Sequence, residues 1–297
     1  MCNEVLRSMS DNGEVSLLVV RGTELVQEAC RRHQTAPTAS AALGRALLGT
    51  LLMGCFKAEG ETTQVTFRGD GIINGIQVIA NATGRVKGKV GNPLADPPLR
   101  GDGKLDVGRA VGKGVLAVVR SHPLAERPYT GMVPIETGEV AEDLARYLVD
   151  SEQTNSALGL GVSIQRDASI RAAGGFLIQV LPFASDETVG QLEANLRGLP
   201  SMTQLLHDGN SPADITAKIL AGIGVADSAF SLMPEFGPCE AEDLKERMKR
   251  AVALLGEAEV KQILEEQGKI EVTCEFCKDT YQFQEEEVLK VLEASRS

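Results

Sequence analysis

The sequence predicts an α+β fold: a β-rich N-terminal domain with packed helices, a helical linker, and a small C-terminal domain. Three observations lead there. At 297 residues the chain exceeds one minimal core, since domains run to roughly 100–200 residues. Strand-like and helix-like stretches come in uneven groups, which favours α+β over a doubly wound sheet. The character of the sequence then changes at Pro182 and again at Met233. The expected divisions are therefore 1–181, 182–233 and 234–297.

Each element follows from its pattern. Val15 to Val20 is an apolar run that reads as a strand. Cys30 falls in a helical stretch. Thr35 to Phe56 is rich in Ala and Leu on every side, the mark of a buried helix. Four strand candidates alternate with glycine turns: Gln64 to Phe67, Ile76 to Ala80, Arg85 to Val90 and Val115 to Arg120. Glu139 to Asp150 spaces Val140, Leu144, Tyr147 and Leu148 along one helical face. Leu158 to Gln165 and Gly175 to Val180 read as strands. Glu187 to Leu196, Met202 to Leu206 and Pro212 to Leu220 read as three short helices, and helices of that length need a surface to pack on. Met233 to Pro238, with two prolines and a glycine, reads as a hinge. In the tail, Leu244, Met248, Ala251, Val252 and Leu255 suggest one helical stripe. Glu257 to Gln267 is a second helix that stops at Gly268. Lys269 to Thr273 and Tyr281 to Phe283 make a hairpin, and an acidic helix closes the chain. So small a unit has a poor core and calls for a staple such as a metal.

Composition excludes several functions. With 30 basic and 41 acidic residues the net charge is −11, the wrong sign for a nucleic-acid partner and the right one for solubility. No apolar run of about 18 residues is present, so no membrane span is expected. The start of the chain lacks the basic and apolar regions of a secretion signal. A cytoplasmic location is expected, or an organelle matrix such as the plastid if a transit peptide has been removed. Gly69-Asp70-Gly71 with Gly75 has the wrong spacing for a dinucleotide loop and reads as a tight turn. Gly112-Lys113-Gly114 lacks the rest of a Walker loop, so no nucleotide is expected. Gly161-Val162-Ser163 is a broken nucleophile elbow. His33, His122 and His207 lie far apart in the sequence. No enzyme is expected.

The six cysteines are Cys2, Cys30, Cys55, Cys239, Cys274 and Cys277. Cys55 reads as a small buried hydrophobe. Cys30 lies beside Arg31 and Arg32, which could lower a thiol pKa. Cys274 and Cys277 form a C-x-x-C turn, a spacing that lets two thiolates face one ion. The same spacing serves thiol–disulfide exchange, although a redox enzyme places it at a helix start. Both readings stand on the residues alone, as does a zinc-ribbon adaptor.

In combination the motifs are specific. Phe67-Arg68-Gly69-Asp70-Gly71, Gly91-Asn92-Pro93, Gly103-Lys104-Leu105-Asp106-Val107 and Arg109-Ala110-Val111-Gly112 occupy the first half. Pro128-Tyr129-Thr130-Gly131, Ser151-Glu152-Gln153-Thr154, Ala172-Ala173-Gly174-Gly175-Phe176 and Cys274-Glu275-Phe276-Cys277 follow. With them the chain resembles the heat-shock protein 33 family of redox-regulated holdase chaperones, from about Val15 to Glu287. The resemblance implies an ATP-independent holdase that binds unfolding client proteins under oxidative or heat stress. It implies a metastable linker and a zinc switch whose oxidation expels the metal. It also implies a homodimer on activation. Its redox and metal residues fall on Cys239, Cys274 and Cys277. The linker leucines Leu192, Leu196, Leu199, Leu205 and Leu206 are client-binding candidates, with packing on the N-terminal domain as a compatible reading. The alternative function is a thiol–disulfide oxidoreductase using Cys274 and Cys277.

One departure stands out. The family has a C-x-C pair after a Met-Pro hinge. Counted from Met233, that pair falls on Cys239 and Ala241; counted back from Lys245-Glu246-Arg247, it falls on Ala241 and Asp243. Three cysteines remain where four are expected. Zinc is therefore expected to be weak or absent, and the switch less dependent on redox than in the family.

Overall fold

The structure, a computed structural model, describes residues 3–237, 241–284 and 286–288. The chain divides after Phe236 into two compact units. Its α+β class agrees with the sequence reading.

In the first unit β1 (Glu4–Met9) and β2 (Val15–Arg21) form a hairpin, followed by helices α1 (Thr23–His33) and α2 (Pro37–Gly54). A meander comes next, β3 (Thr62–Gly69), β4 (Ile76–Asn81) and β5 (Arg85–Val90). After it come the short helix α3 (Val107–Val111), β6 (Gly114–Ser121), β7 (Tyr129–Ile135) and α4 (Ala141–Asp150). The long hairpin of β8 (Ser156–Ile164) and β9 (Ile170–Val180) leads to helices α5 (Asp186–Gly198), α6 (Met202–His207) and α7 (Pro212–Ile219). Two short strands, β10 (Phe230–Leu232) and β11 (Glu235–Phe236), end the unit.

Two sheets result. One has the order β10-β1-β2-β9-β8, the other β11-β5-β4-β3-β6-β7. All pairings are antiparallel except that of β11 with β5. Helix α2 packs against both sheets. It is buried at every position except Pro37 and Arg45, as a helix apolar all round must be. Pro37 sits in the first turn, where its missing N–H costs nothing. Arg45, the one charge on α2, is held by Glu139 at 2.6 Å.

The glycine turn read at Gly69 and Gly71 has a packing reason. A Cβ on Gly69 would lie 2.0 Å from the Val111 carbonyl oxygen, and one on Gly71 2.3 Å from that of Ala110. The turn therefore closes onto the end of α3, and the Asp70 carboxylate accepts the Lys113 N–H at 2.8 Å.

Several expectations need correcting. Within the hinge read at Met233 to Pro238, Met233 and Pro234 are unpaired and only Glu235 and Phe236 join a sheet, through β5; the division between the two units falls in the same stretch, after Phe236. Pro238 lies outside the described residues. Strand β9 begins at Ile170, five residues earlier than read, because β8 pairs with it from Ile170 on and β2 joins on the other side from Gly174, despite its Ala and Gly content. Strands β1 and β7 have no clean sequence signal. Strand β1 carries Arg7 and Ser8 in its middle, and β7 is an edge strand with a glycine and a proline, where proline is tolerated.

The second unit holds α8 (Ala241–Ala253), α9 (Glu257–Gln267) and the hairpin β12 (Ile270–Thr273) with β13 (Thr280–Phe283). Its described core is small: Val252, Val260, Ile270, Phe283 and Val288. The expected stripe on α8 holds only in part. Val252 is buried and Met248 packs beside it, but Ala251 is exposed and Leu255 lies beyond the helix, 46% exposed. The Leu244 side chain and most of the expected terminal helix lie outside the described residues. Helix α9 stops at Gly268, which takes the left-handed conformation at φ 70°. Among the described residues no helix is long and apolar enough to cross a membrane.

Candidate functional site

Two places in the fold carry the sequence-predicted residues, one in each unit.

In the second unit the hairpin register Thr273↔Thr280 leaves a loop that contains both cysteines of the C-x-x-C. The Cys274 N–H donates to the Asp279 carbonyl at 2.9 Å, and the Lys278 N–H donates to the Cys274 carbonyl at 2.9 Å. Lys278 takes φ 60° to close the turn, a conformation that costs a non-glycine residue about 1–2 kcal/mol. The result is a knuckle, with Cys274 and Cys277 at 3% and 1% exposure. They form one cluster with Met248, Phe276 and Tyr281 packed around it.

This arrangement fits half of a thiolate metal site. Two sulfurs three residues apart on a tight turn suit a soft cation. Among the described residues no group of three or more His, Cys, Asp or Glu side chains could hold a metal ion. Cys239 and Glu240 lie outside the described residues, as do the side chains of Glu242 and Asp243. The structure thus brings together two of the three expected residues and does not describe the third.

Cys30 and Cys55 are quiet; Cys2, like Cys239, lies outside the described residues. Burial pushes the Cys55 thiol up to about 12, as expected for a small buried hydrophobe. Burial also raises Cys30, the reverse of the lowering its arginine neighbours suggested. Arg31 and Arg32 are engaged with Glu28 at 2.8 and 2.6 Å, which spends their charge.

In the first unit the five-stranded sheet has two buried faces, which is why Val15 to Val20 reads as an unbroken apolar run. Leu18 and Val20 belong to the core around α2. Val15, Leu17 and Val19, with Ile178 of β9, point the other way and are covered by α5, α6 and α7. The covering side chains include Leu192, Met202, Leu205, Ile215 and Ile219. Each helix starts on a serine whose hydroxyl accepts a backbone N–H three residues on: Ser185, Ser201 and Ser211. At Ser211 the cap is reciprocal, Asp214 accepting from the Ser211 N–H at 2.8 Å.

Of the five linker leucines, Leu192 and Leu205 are buried at 4% and 2% exposure, while Leu196, Leu199 and Leu206 are half-buried against the same cluster. All five belong to or pack against the apolar cluster that the sheet face and the three helices share. The residues that sequence reasoning missed are their partners, Val15, Leu17, Val19 and Ile178. The length of the apolar run at β2 was the available signal, since a half-exposed strand would alternate.

Known proteins agree with this architecture. A family model described as Hsp33 protein matches residues 3–284. The chain is 40% identical over 298 residues to the 33 kDa chaperonin of Clostridium beijerinckii, covering 100% of each. It is 42% identical over 288 residues to that of Geobacter sulfurreducens, covering 96% of this chain and 93% of the other. The crystal structure of the 33 kDa chaperonin (heat shock protein 33 homologue) of Thermotoga maritima superposes with a TM-score of 0.89 at 32% identity. It covers 100% of this chain and 99% of that one. The resemblance read from the motifs thus extends over sequence and fold alike, and the chain belongs to the Hsp33 family.

Proposed function

We propose that this chain is an ATP-independent holdase chaperone that captures unfolding proteins when its linker helices release the sheet they cover. One observation carries the reading. The outer face of the five-stranded sheet is apolar at Val15, Leu17, Val19 and Ile178, and its cover consists of three helices of 13, 6 and 8 residues. Helices that short are marginal in water without tertiary packing, so they are where local opening is cheapest. Release uncovers two complementary apolar surfaces, the sheet face and the leucine side of the helices, and unfolding clients offer apolar surface to match. The names of the bacterial relatives as chaperonins support the same reading.

The tail supplies the control. Bound zinc would staple the knuckle through Cys274 and Cys277, with Cys239 as the third sulfur. A site with three sulfurs holds zinc less firmly than the closed four-ligand sites that structural zinc prefers. Oxidation and heat would both act by loosening this small unit. Client capture, activation as a homodimer and a cytoplasmic or plastid setting go together in this reading. The dithiol-enzyme alternative is disfavoured by the near-complete burial of both knuckle sulfurs, since exchange requires access.

Light scattering of a heat-aggregating client tests the proposal, without nucleotide and on reduced, oxidised and preheated samples. Suppression at equimolar protein after at least one activating treatment is expected. Unchanged aggregation after all of them would overturn it.

A further inference from the structure

The inner face of the five-stranded sheet loses its apolar character toward one end. Arg7 on β1 lies opposite Leu18, Ser16 on β2 lies opposite Gln179, and Gln179 on β9 lies opposite Ser156. All share the face that looks toward α2. Where α2 ends, this polar row bounds a cavity of about 60 Å³ whose wall also includes Cys55, Lys57 and Arg120. A single water occupies roughly 10–15 Å³ of such space, so the cavity suits a group of four or five heavy atoms.

The lining has an unusual balance. In a chain of net charge −11, three cations and no carboxylate line this cavity among the described residues. Arg120 is committed elsewhere: it grips Glu152 with two N–H groups at 2.8 and 3.0 Å and donates to the Met53 carbonyl at 3.3 Å. The side chains of Arg7, Ser16, Lys57 and Gln179 have no hydrogen bond or ion pair among the described residues. Across the ladder the Ser156 hydroxyl is buried with no hydrogen-bond partner among the described residues. Ser16 is buried, Arg7 and Gln179 are half-buried and Lys57 is exposed, so the cavity is reachable from solvent and presents positive charge that an entering anion would neutralise. Four donors of different chemistry on one small space, two of them cationic, match an acceptor-only group with oxygens on several sides. Arginine with a second cation and neutral donors is the usual protein answer to such a group.

We propose that this cavity binds a small tetrahedral oxyanion, phosphate or sulfate, held by Arg7, Lys57, Ser16 and Gln179. The site lies on the inner face of the sheet, opposite the face covered by α5 to α7, and is independent of the holdase reading. An anion that binds only the folded unit stabilises it by mass action.

The test uses the reduced full-length protein at constant ionic strength set with chloride. Inorganic phosphate is titrated in a calorimeter, and uptake is checked by equilibrium dialysis. One saturable site per chain is expected, with sulfate competing and the melting temperature rising as phosphate is added. Arg7→Met and Lys57→Met should each weaken binding at least tenfold, and Gln179→Leu several-fold. Lys57 is exposed, so its variant reports on the site without threatening the fold. Tripolyphosphate distinguishes the source: tighter binding than phosphate points to the end of a phosphate chain, equal or weaker binding to the free ion, and either upholds the site. Absence of saturable uptake by the wild-type protein would overturn the proposal, and so would equal affinity in wild type and Lys57→Met.

Discussion

Gly161 of β8 has no side chain, and α6 occupies the space where one would be. A Cβ there would lie 2.9 Å from Thr203 Cγ2 and 3.2 Å from the Thr203 backbone nitrogen. Gly174 of β9 plays the same part toward Met202 and Leu206, with the Val20 carbonyl oxygen closer still at 2.5 Å. Two glycines thus set how near the cover sits to the sheet. Gly161→Val should push α6 outward, at an overpacking cost of about 1–3 kcal/mol. In the scattering assay this variant is expected to suppress client aggregation without prior activation. Resting activity equal to wild type would show that α6 is not part of the gate. Leu205→Ala acts from the other side by leaving a cavity, at about 2–5 kcal/mol, and should speed amide exchange in α6 while leaving α2 protected. Glu28 gives a residue-scale prediction of a different kind. Its carboxylate is held at about 2, first by the hydrogen bond from Arg31 and with help from Arg32. A depressed folded pKa stabilises at pH values above the ordinary 4.5, and the benefit is lost as pH falls toward 2. The pairs are partly solvent-exposed, so screening holds the gain to about 1 kcal/mol at most. Glu28→Gln should therefore melt slightly below wild type at pH 7, and the two curves should meet near pH 2.

At the scale of elements, the short helices stand on their caps and on the sheet beneath. Ser211→Ala removes the reciprocal cap of α7 and should cost about 1 kcal/mol. Amide exchange is expected to quicken in α7 before it changes in β2 or β9, and uniform quickening along the unit would contradict the picture of a separately opening cover. The same elements explain what could be read in the sequence. Helix α2 was legible because it is apolar on every side, β5 because it alternates, and the end of α9 because Gly268 stops it. The knuckle was legible because C-x-x-C between two strand-like stretches has few geometries. Strand β1 was not, since its interior arginine faces a polar cavity rather than a core. Strands β10 and β11, three and two residues long, have no period to detect and exist only through pairing with β1 and β5. The sheet face beneath the three helices was half legible. The unbroken run at β2 shows that both faces are covered, but which helices cover which face is decided by packing between segments far apart in sequence.

At the scale of the whole molecule the two units differ greatly in what holds them together. The first has a continuous core around α2 between two sheets. The second has five buried apolar side chains in its described core and two cysteines that invite a metal. A complete thiolate set contributes about 10–16 kcal/mol of apparent zinc binding at neutral pH, far more than so small a core supplies. With Cys239, Cys274 and Cys277 as its only tail cysteines, the chain is one sulfur short of that set, and three thiols allow at most one disulfide. The tail should therefore lose its structure on modest heating whether or not it is oxidised. Elemental analysis of protein purified without added metal is expected to find well under one zinc per chain, and a chelator should shift the melting of the tail only slightly. Preheated reduced protein should hold a client about as well as preheated oxidised protein, and Cys239→Ser should leave heat activation intact. One tightly held zinc per chain would mean that a fourth ligand is recruited after all. Strict dependence of activation on peroxide would mean that a single disulfide is enough to throw the switch.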